Sequence, residues 1–142
     1  MIDSHVPRFS QAVQAAALIA AFVFDLRLAV PILAAVLLAA VLGGPRANLL
    51  ALVYRSLPIP RGEPEPAAPP RFAQRIGAGF LVAGSAFLFG LPAHTWIWWV
   101  LGWGPALVVA ILSALAATTG LCIGCEMYLL IDRRRARREA HA

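Results

Sequence analysis

Lysine is missing from this chain of 142 residues, and all twelve of its basic residues are arginine. Charge of either sign is scarce: 13% of residues are charged and 61% are apolar, where soluble domains run near 25% and 45–50%. That balance excludes an ordinary soluble domain and leaves no length for a sizeable extramembrane one. Histidine is limited to His5, His94 and His141 and cysteine to Cys122 and Cys125. Two thiolates with His5 and His141 in the tails, and His94 expected at the opposite membrane face, make no metal site. Glu126 follows the Cys-x-x-Cys spacing where a c-type haem needs histidine. No metal and no cofactor are expected. A small-residue cleavage site is also lacking after Arg8 and the apolar run Ala12 to Phe24, so that run reads as a retained helix and not a signal peptide. The net charge of +5 sits at the ends of apolar runs, which fits topology signals better than nucleic-acid binding.

What is present is a succession of apolar runs at the scale of bilayer spans. Phe9 to Phe24 is the first, with Gln11 and Gln14 in its early turns facing other helices or headgroups. Asp25-Leu-Arg27 connects it to Leu28–Leu42, which Gly43-Gly44-Pro45 interrupts. Asn48 to Leu57 is too short to span and reads as an interfacial helix or a kinked continuation. Residues 58–70 hold six prolines in thirteen positions, an extended aqueous linker. Phe72 to Gly90 is the third span, with a small-residue face suited to helix packing. Leu91-Pro-Ala-His-Thr95 turns the chain. Trp96, Trp98, Trp99 and Trp103 then suggest an aromatic belt at one interface. Pro105 to Ile131 is the fourth span, about 40 Å if wholly helical, stopped by Asp132 and the arginines after it.

The expected fold is an all-α integral membrane bundle of four transmembrane helices. Its parts are a first hairpin with interfacial segment (7–57), the linker (58–70), a second hairpin carrying the cysteines (70–132) and a basic tail (133–142). Arg8, the central arginines 46, 55, 61, 71 and 75, and five at the C-terminus lie on one side, against Arg27 on the other. The positive-inside rule makes both termini and the linker cytoplasmic. Pro7-Arg8-Phe9-Ser10-Gln11 recurs as Pro70-Arg71-Phe72-Ala73-Gln74, so the two hairpins look like repeats about an axis along the membrane normal. A second register pairs Pro31 with Pro105 and Tyr54 with Tyr128. It sets Asn48 and Ala51 opposite Cys122 and Cys125.

Cys122 and Cys125, at i and i+3, share a helical face at a separation a disulfide tolerates. On a fourth span running unbroken to Ile131 they lie in its C-terminal half, where helix dipole and burial disfavour thiolate. Reactivity then needs a cation, and Arg8 and Arg71 open helices on the same side. Glu126, costly inside a membrane, is a candidate proton acceptor, a partner for Tyr128, or an interfacial group. Tyr128 reads as an interfacial aromatic or a site residue. Inert packing of both cysteines is the alternative use.

Pro-Pro-Arg-Phe-Ala-Gln opening the third span, with Cys-Ile-Gly-Cys-Glu-Met-Tyr near the end, resembles an uncharacterised bacterial membrane family, the domain of unknown function four-three-nine-five. The resemblance covers nearly the whole chain and marks Arg71, Phe72, Cys122, Cys125, Glu126 and Tyr128. It implies a small integral membrane protein, often encoded near thioredoxin-like and rhodanese-like sulfur-handling proteins, and it carries no established activity; the expected location is the bacterial inner membrane. The expected role is thiol–disulfide redox or sulfur relay with such a partner on the cytoplasmic face. An accessory subunit of a larger membrane complex or homo-oligomer is a second reading. A permease for a small sulfur compound ranks last, because few polar residues are expected to face the bundle interior. Enzyme, carrier and subunit all remain open on the residues alone.

Overall fold

The computed structural model describes residues 2–44, 47–58, 60, 62–66, 68–90 and 95–140. The expectations placed on Pro45, Arg46, Arg61, residues 91–94 with His94, and His141 lie outside the described residues. The chain is helical almost throughout. Among the described residues, three helical segments are long and apolar enough to cross a membrane: His5–Val23 (α1), Ala68–Gly90 (α4) and Trp96–Thr119. The last comprises α5 (Trp96–Trp98), a π-helical turn (Trp99–Trp103) and α6 (Gly104–Thr119). A shorter apolar helix, α2 (Ala29–Gly43), lies between them. Two further helices, α3 (Leu49–Ser56) and α7 (Ile123–Ala140), follow α2 and α6 respectively.

Helix packing is reciprocal between the halves of the chain. α1 lies chiefly along α6, and α2 chiefly along α4; α3 rests on α1, and α7 on α4. The core is built from Leu18, Val30, Leu37, Leu81, Trp98 and Trp103. Large apolar side chains also cover the outside: Leu42, Phe24 and Ile111 are 83%, 71% and 66% exposed. Meanwhile Ser10, Gln14 and Ser113 are buried. Polar residues inside and apolar residues outside is the arrangement expected where lipid is the solvent.

The tryptophan cluster corrects the reading of a uniform belt. Trp98 and Trp103 are core residues, while Trp96 and Trp99 are exposed. The Trp98 indole N–H donates to the Leu88 carbonyl at 3.0 Å, satisfying one of the carbonyls that the end of α4 leaves without a helical partner. Gly102 permits this approach, because a Cβ there would lie 2.7 Å from Leu88 Cδ2. The Phe22 ring meets Trp99 and Trp103 edge-on. The Arg27 guanidinium lies 4.7 Å over the Trp98 ring and pairs with Asp25 at 3.0 Å. The tight 25–27 turn therefore locks onto the start of the Trp96–Thr119 rod.

The proline-rich stretch is less loose than its composition suggests. Ile2 and Asp3 pair antiparallel with Glu65 and Pro64. The Asp3 carboxylate accepts the Gly62 N–H at 2.9 Å, and the Ser4 N–H donates to the Glu63 carbonyl at 3.0 Å. The linker is thereby held against the start of α1.

The tryptophans give the first test. Trp98→Ala removes a buried ring and leaves the Leu88 carbonyl unmet, so it should cost about 3–5 kcal/mol. Trp96→Ala should stay within about 0.5 kcal/mol. Thermal unfolding in detergent distinguishes them, and equal losses would contradict the packing described.

Candidate functional site

The fourth apolar run is broken just past its middle. α6 ends at Thr119, and Gly120 caps it in the left-handed region (φ 75°, ψ −1°), with its N–H on the Ala116 carbonyl at 3.0 Å. Glycine takes that conformation without the Cβ penalty other residues meet. Thr119 Oγ1 accepts the Leu121 N–H at 3.1 Å, which holds the bend. The chain then re-enters a helix at Ile123. This corrects the reading of one helix from Pro105 to Ile131. The arginine cluster does not stop the chain at Asp132 either, since α7 continues to Ala140.

The consequence for the cysteines is a reversal of polarity. They stand at the N-terminus of α7, and not in the C-terminal half of a long span. Cys122 occupies the cap position: its carbonyl accepts the Glu126 N–H at 3.0 Å, the first helical bond of α7. Its sulfur takes hydrogen bonds from the Cys125 thiol, the Cys125 N–H, the Gln11 side chain and the Gly124 N–H. The Gln11 Nε2–Sγ distance is 3.6 Å. Both cysteines are thiols, each partly buried.

Cys122 lies beyond the end of the Trp96–Thr119 segment. Its pKa is drawn down to about 6, first by the hydrogen bond from the Cys125 thiol, against the opposing effect of partial burial. The backbone N–H groups and Gln11 add to the lowering. This is the physical pattern of a nucleophilic cysteine: exposed helix-terminal donors and a neighbouring thiol favour the anion.

Two cavities meet at Cys122. The outer one, about 210 Å³, is lined by Arg8, Glu126, both cysteines, Gly120 and residues of the linker. The inner one, about 110 Å³, runs between α1, α4 and α6 and is lined by Ser10, Gln11, Gln14, Gln74 and Ser113 among apolar neighbours. Pro7, Gln11, Pro70, Ala116 and Cys122 border both.

The structure brings together most of the residues singled out by sequence. Arg8 packs over Gly120, where an added Cβ would lie 2.6 Å from its Nη2. Arg71 is exposed and lines neither cavity. The thiolate is stabilised chiefly by hydrogen-bond donors, so the cation expected from the unbroken-helix reading is not what lowers the Cys122 pKa. Glu126 is exposed and borders the outer cavity. Tyr128 stacks on Phe72, centroids 5.6 Å apart, and serves to seat α7 on α4. Sequence reasoning missed Ser10 and Ser113 as interior groups and Gln11 as a donor to sulfur, and it left Gln14 open between a place facing other helices, which it has, and one facing headgroups. Gln11 and Gln74 did carry a signal: they are the matching glutamines of the repeated Pro-Arg-Phe motif.

A family model matches residues 2–133. The chain belongs to the family described as Domain of unknown function (DUF4395). No curated protein and no solved structure matches it. The function of this DUF4395 chain therefore has to be argued from the site itself.

The site makes a pH-dependent prediction. Thiolate is the reactive form, so Cys122 alkylation should rise with pH around a midpoint near 6, against about 8.5 for a free thiol. Cys125→Ala removes the strongest donor and should move the midpoint upward. Gln11→Leu should move it upward by less. Rate–pH profiles with iodoacetamide check both, and superimposable profiles would contradict the hydrogen-bond account.

Proposed function

We propose that this is a thiol–disulfide redox or sulfur-relay protein of the bacterial inner membrane, with Cys122 as nucleophile and Cys125 as resolving thiol. The observation that carries the reading is the cap position of Cys122, where four donors converge on one sulfur beside an open cavity. The partner is a thioredoxin-like or rhodanese-like protein docking at the cytoplasmic mouth. In the redox version, the Cys122 thiolate attacks one sulfur of the partner's disulfide. That S–S bond breaks, a mixed disulfide forms, and the partner's second sulfur leaves as a thiolate and is protonated. Cys125 gives up its proton, with Glu126, a carboxylate that lines the same cavity, as the acceptor, and attacks the Cys122 sulfur. The product is a Cys122–Cys125 disulfide and a reduced partner dithiol; the same exchange run in reverse, from a partner dithiol, returns the pair to its dithiol form and leaves the partner as its disulfide.

The scaffold in this proposal is a four-span bundle of two repeated hairpins, termini and linker in the cytoplasm. Exchanging α1 with α4, α2 with α6 and α3 with α7 carries the main packing contacts onto one another. The Phe9–Tyr54 pair, 5.5 Å and 52°, has its counterpart in Phe72–Tyr128, 5.6 Å and 52°. Asn48 caps α3 by accepting the Ala51 N–H at 3.1 Å, and Cys122 accepts the N–H of Cys125 in the same register. One half thus carries a chemically inert asparagine cap where the other carries a reactive sulfur. The α2 helix, fifteen residues long, spans about 22 Å and requires local thinning or its flanking residues to complete a crossing.

Cys125→Ser should accumulate a covalent adduct with a cytoplasmic thiol protein, released by reductant, because the resolving thiol is gone. Cys122→Ser should accumulate none. Non-reducing electrophoresis of membranes from cells expressing each variant reads the result, and no adduct with Cys125→Ser would count against the proposal.

A further inference from the structure

The inner cavity has the features of a ligand site that thiol exchange with a soluble protein does not use. Its deep wall is polar: Ser10, Gln14 and Ser113 are 4%, 7% and 8% exposed. The Ser10 hydroxyl has no hydrogen-bond partner among the described residues, and a buried donor of that kind calls for one. Its outer wall is apolar and open. Phe80, Val108 and Leu112, on the outward faces of α4 and α6, are 41–44% exposed. Entry is therefore sideways, from the lipid-facing surface.

The lining narrows the class of occupant. Apart from Cys122 at one end, no ionisable side chain borders the cavity among the described residues, and an ion taken from water into such a site would lose most of its hydration uncompensated. The ligand is neutral, lipid-soluble and able to accept hydrogen bonds from hydroxyl and amide groups. At about 110 Å³ the space is smaller than the roughly 300–1,000 Å³ of drug-sized pockets, so it suits one substituted ring. Cys122 closes one end, and a dithiol there can release two electrons and two protons.

We infer that the cavity between α1, α4 and α6 binds the ring of a membrane quinone beside Cys122, and that this quinone is the electron acceptor of the Cys122/Cys125 pair. The inference rests on the thiol reading above and names its oxidant. The Cys122 thiolate adds to a ring carbon, forming a C–S bond. Cys125, deprotonated, attacks the Cys122 sulfur; the S–S bond forms and the C–S bond breaks. The electron pair passes to the ring, and the two protons that left the thiols end on its oxygens as hydroquinone. Ser10 and Gln14 hydrogen-bond a ring carbonyl and hold it as charge builds on oxygen. Dithiol plus quinone gives disulfide plus hydroquinone, with atoms and electrons balanced.

The test uses the full chain in detergent, reduced and kept anaerobic. The oxidant is a short-chain benzoquinone with every ring position substituted, so that a stable adduct does not form. One hydroquinone should appear per Cys122–Cys125 disulfide, with saturation in quinone. Gln14→Leu and Ser113→Ala should each raise the half-saturating quinone concentration about tenfold or more. Oxidation of the same variants by a water-soluble aromatic disulfide should stay within about twofold of the unaltered protein. If the aromatic disulfide oxidises the pair and the quinone does not, or if neither variant changes the quinone kinetics, the quinone site is overturned and the dithiol reading stands. If neither oxidant acts, both fall. If Gln14→Leu loses both oxidations it has misfolded, and the smaller Ser113→Ala decides; parallel loss of both oxidations there also overturns the site.

Discussion

Gly120 turns the chain through a left-handed conformation, and the helix that restarts at Ile123 presents its first N–H groups to the sulfur of Cys122. A helix N-terminus leaves four N–H groups without helical acceptors, and in most proteins serine, threonine, aspartate or asparagine supplies one. Here the sulfur of Cys122 does. The same hydrogen bonds that finish the helix also lower the Cys122 pKa, so local folding and thiol acidity have one structural cause. Had the helix continued unbroken, the backbone N–H groups of Gly124 and Cys125 would have bonded to carbonyls one turn back, and the sulfur would have faced the negative end of a long dipole.

The surroundings reinforce that arrangement. Gln11 reaches Cys122 from α1, and Arg8 from the same helix covers Gly120. The N-terminal helix is therefore a structural partner of the C-terminal break, although more than a hundred residues separate them. α1 packs chiefly against α6, which fixes that meeting. The result is a sulfur at the junction of two spaces of different character. One is bordered by arginine and glutamate and by the linker; the other has no arginine, aspartate or glutamate in its lining and is bordered by the exposed apolar side chains Phe80, Val108 and Leu112. In the function proposed above, a partner dithiol reduces the pair from the first space and the quinone takes its electrons from the second.

Much of this was legible in the residues. Long apolar runs, scarce charge and arginines at their ends gave the helical membrane character, and the Cys-x-x-Cys pair marked the site. The matched Pro-Arg-Phe-x-Gln segments pointed to the two glutamines that border the inner cavity. The break at Gly120 was harder to read. Leu121, Ile123 and the residues after them keep the run apolar, so hydropathy carries straight through the bend, and only Thr119-Gly120 signals a helix end. The buried Ser10 and Ser113 were obscured, and Gln14 left undecided between helix and headgroup, for a related reason. In lipid, the side of a helix facing its neighbours is not the more apolar side, so periodicity does not say which polar residues turn inward. Trp98 and Trp103 shared the composition of an interfacial belt but are held inside by the close approach of Gly102 to Leu88.

The most direct measurement is the state of the two sulfurs in intact cells, read by gel-shift alkylation before and after reductant. The account predicts that Cys122 and Cys125 appear in both dithiol and disulfide forms, and that reductant converts the second into the first. A single reduced form that resists alkylation until the protein is denatured would contradict it, and would leave the cysteines as packing residues of a small membrane subunit.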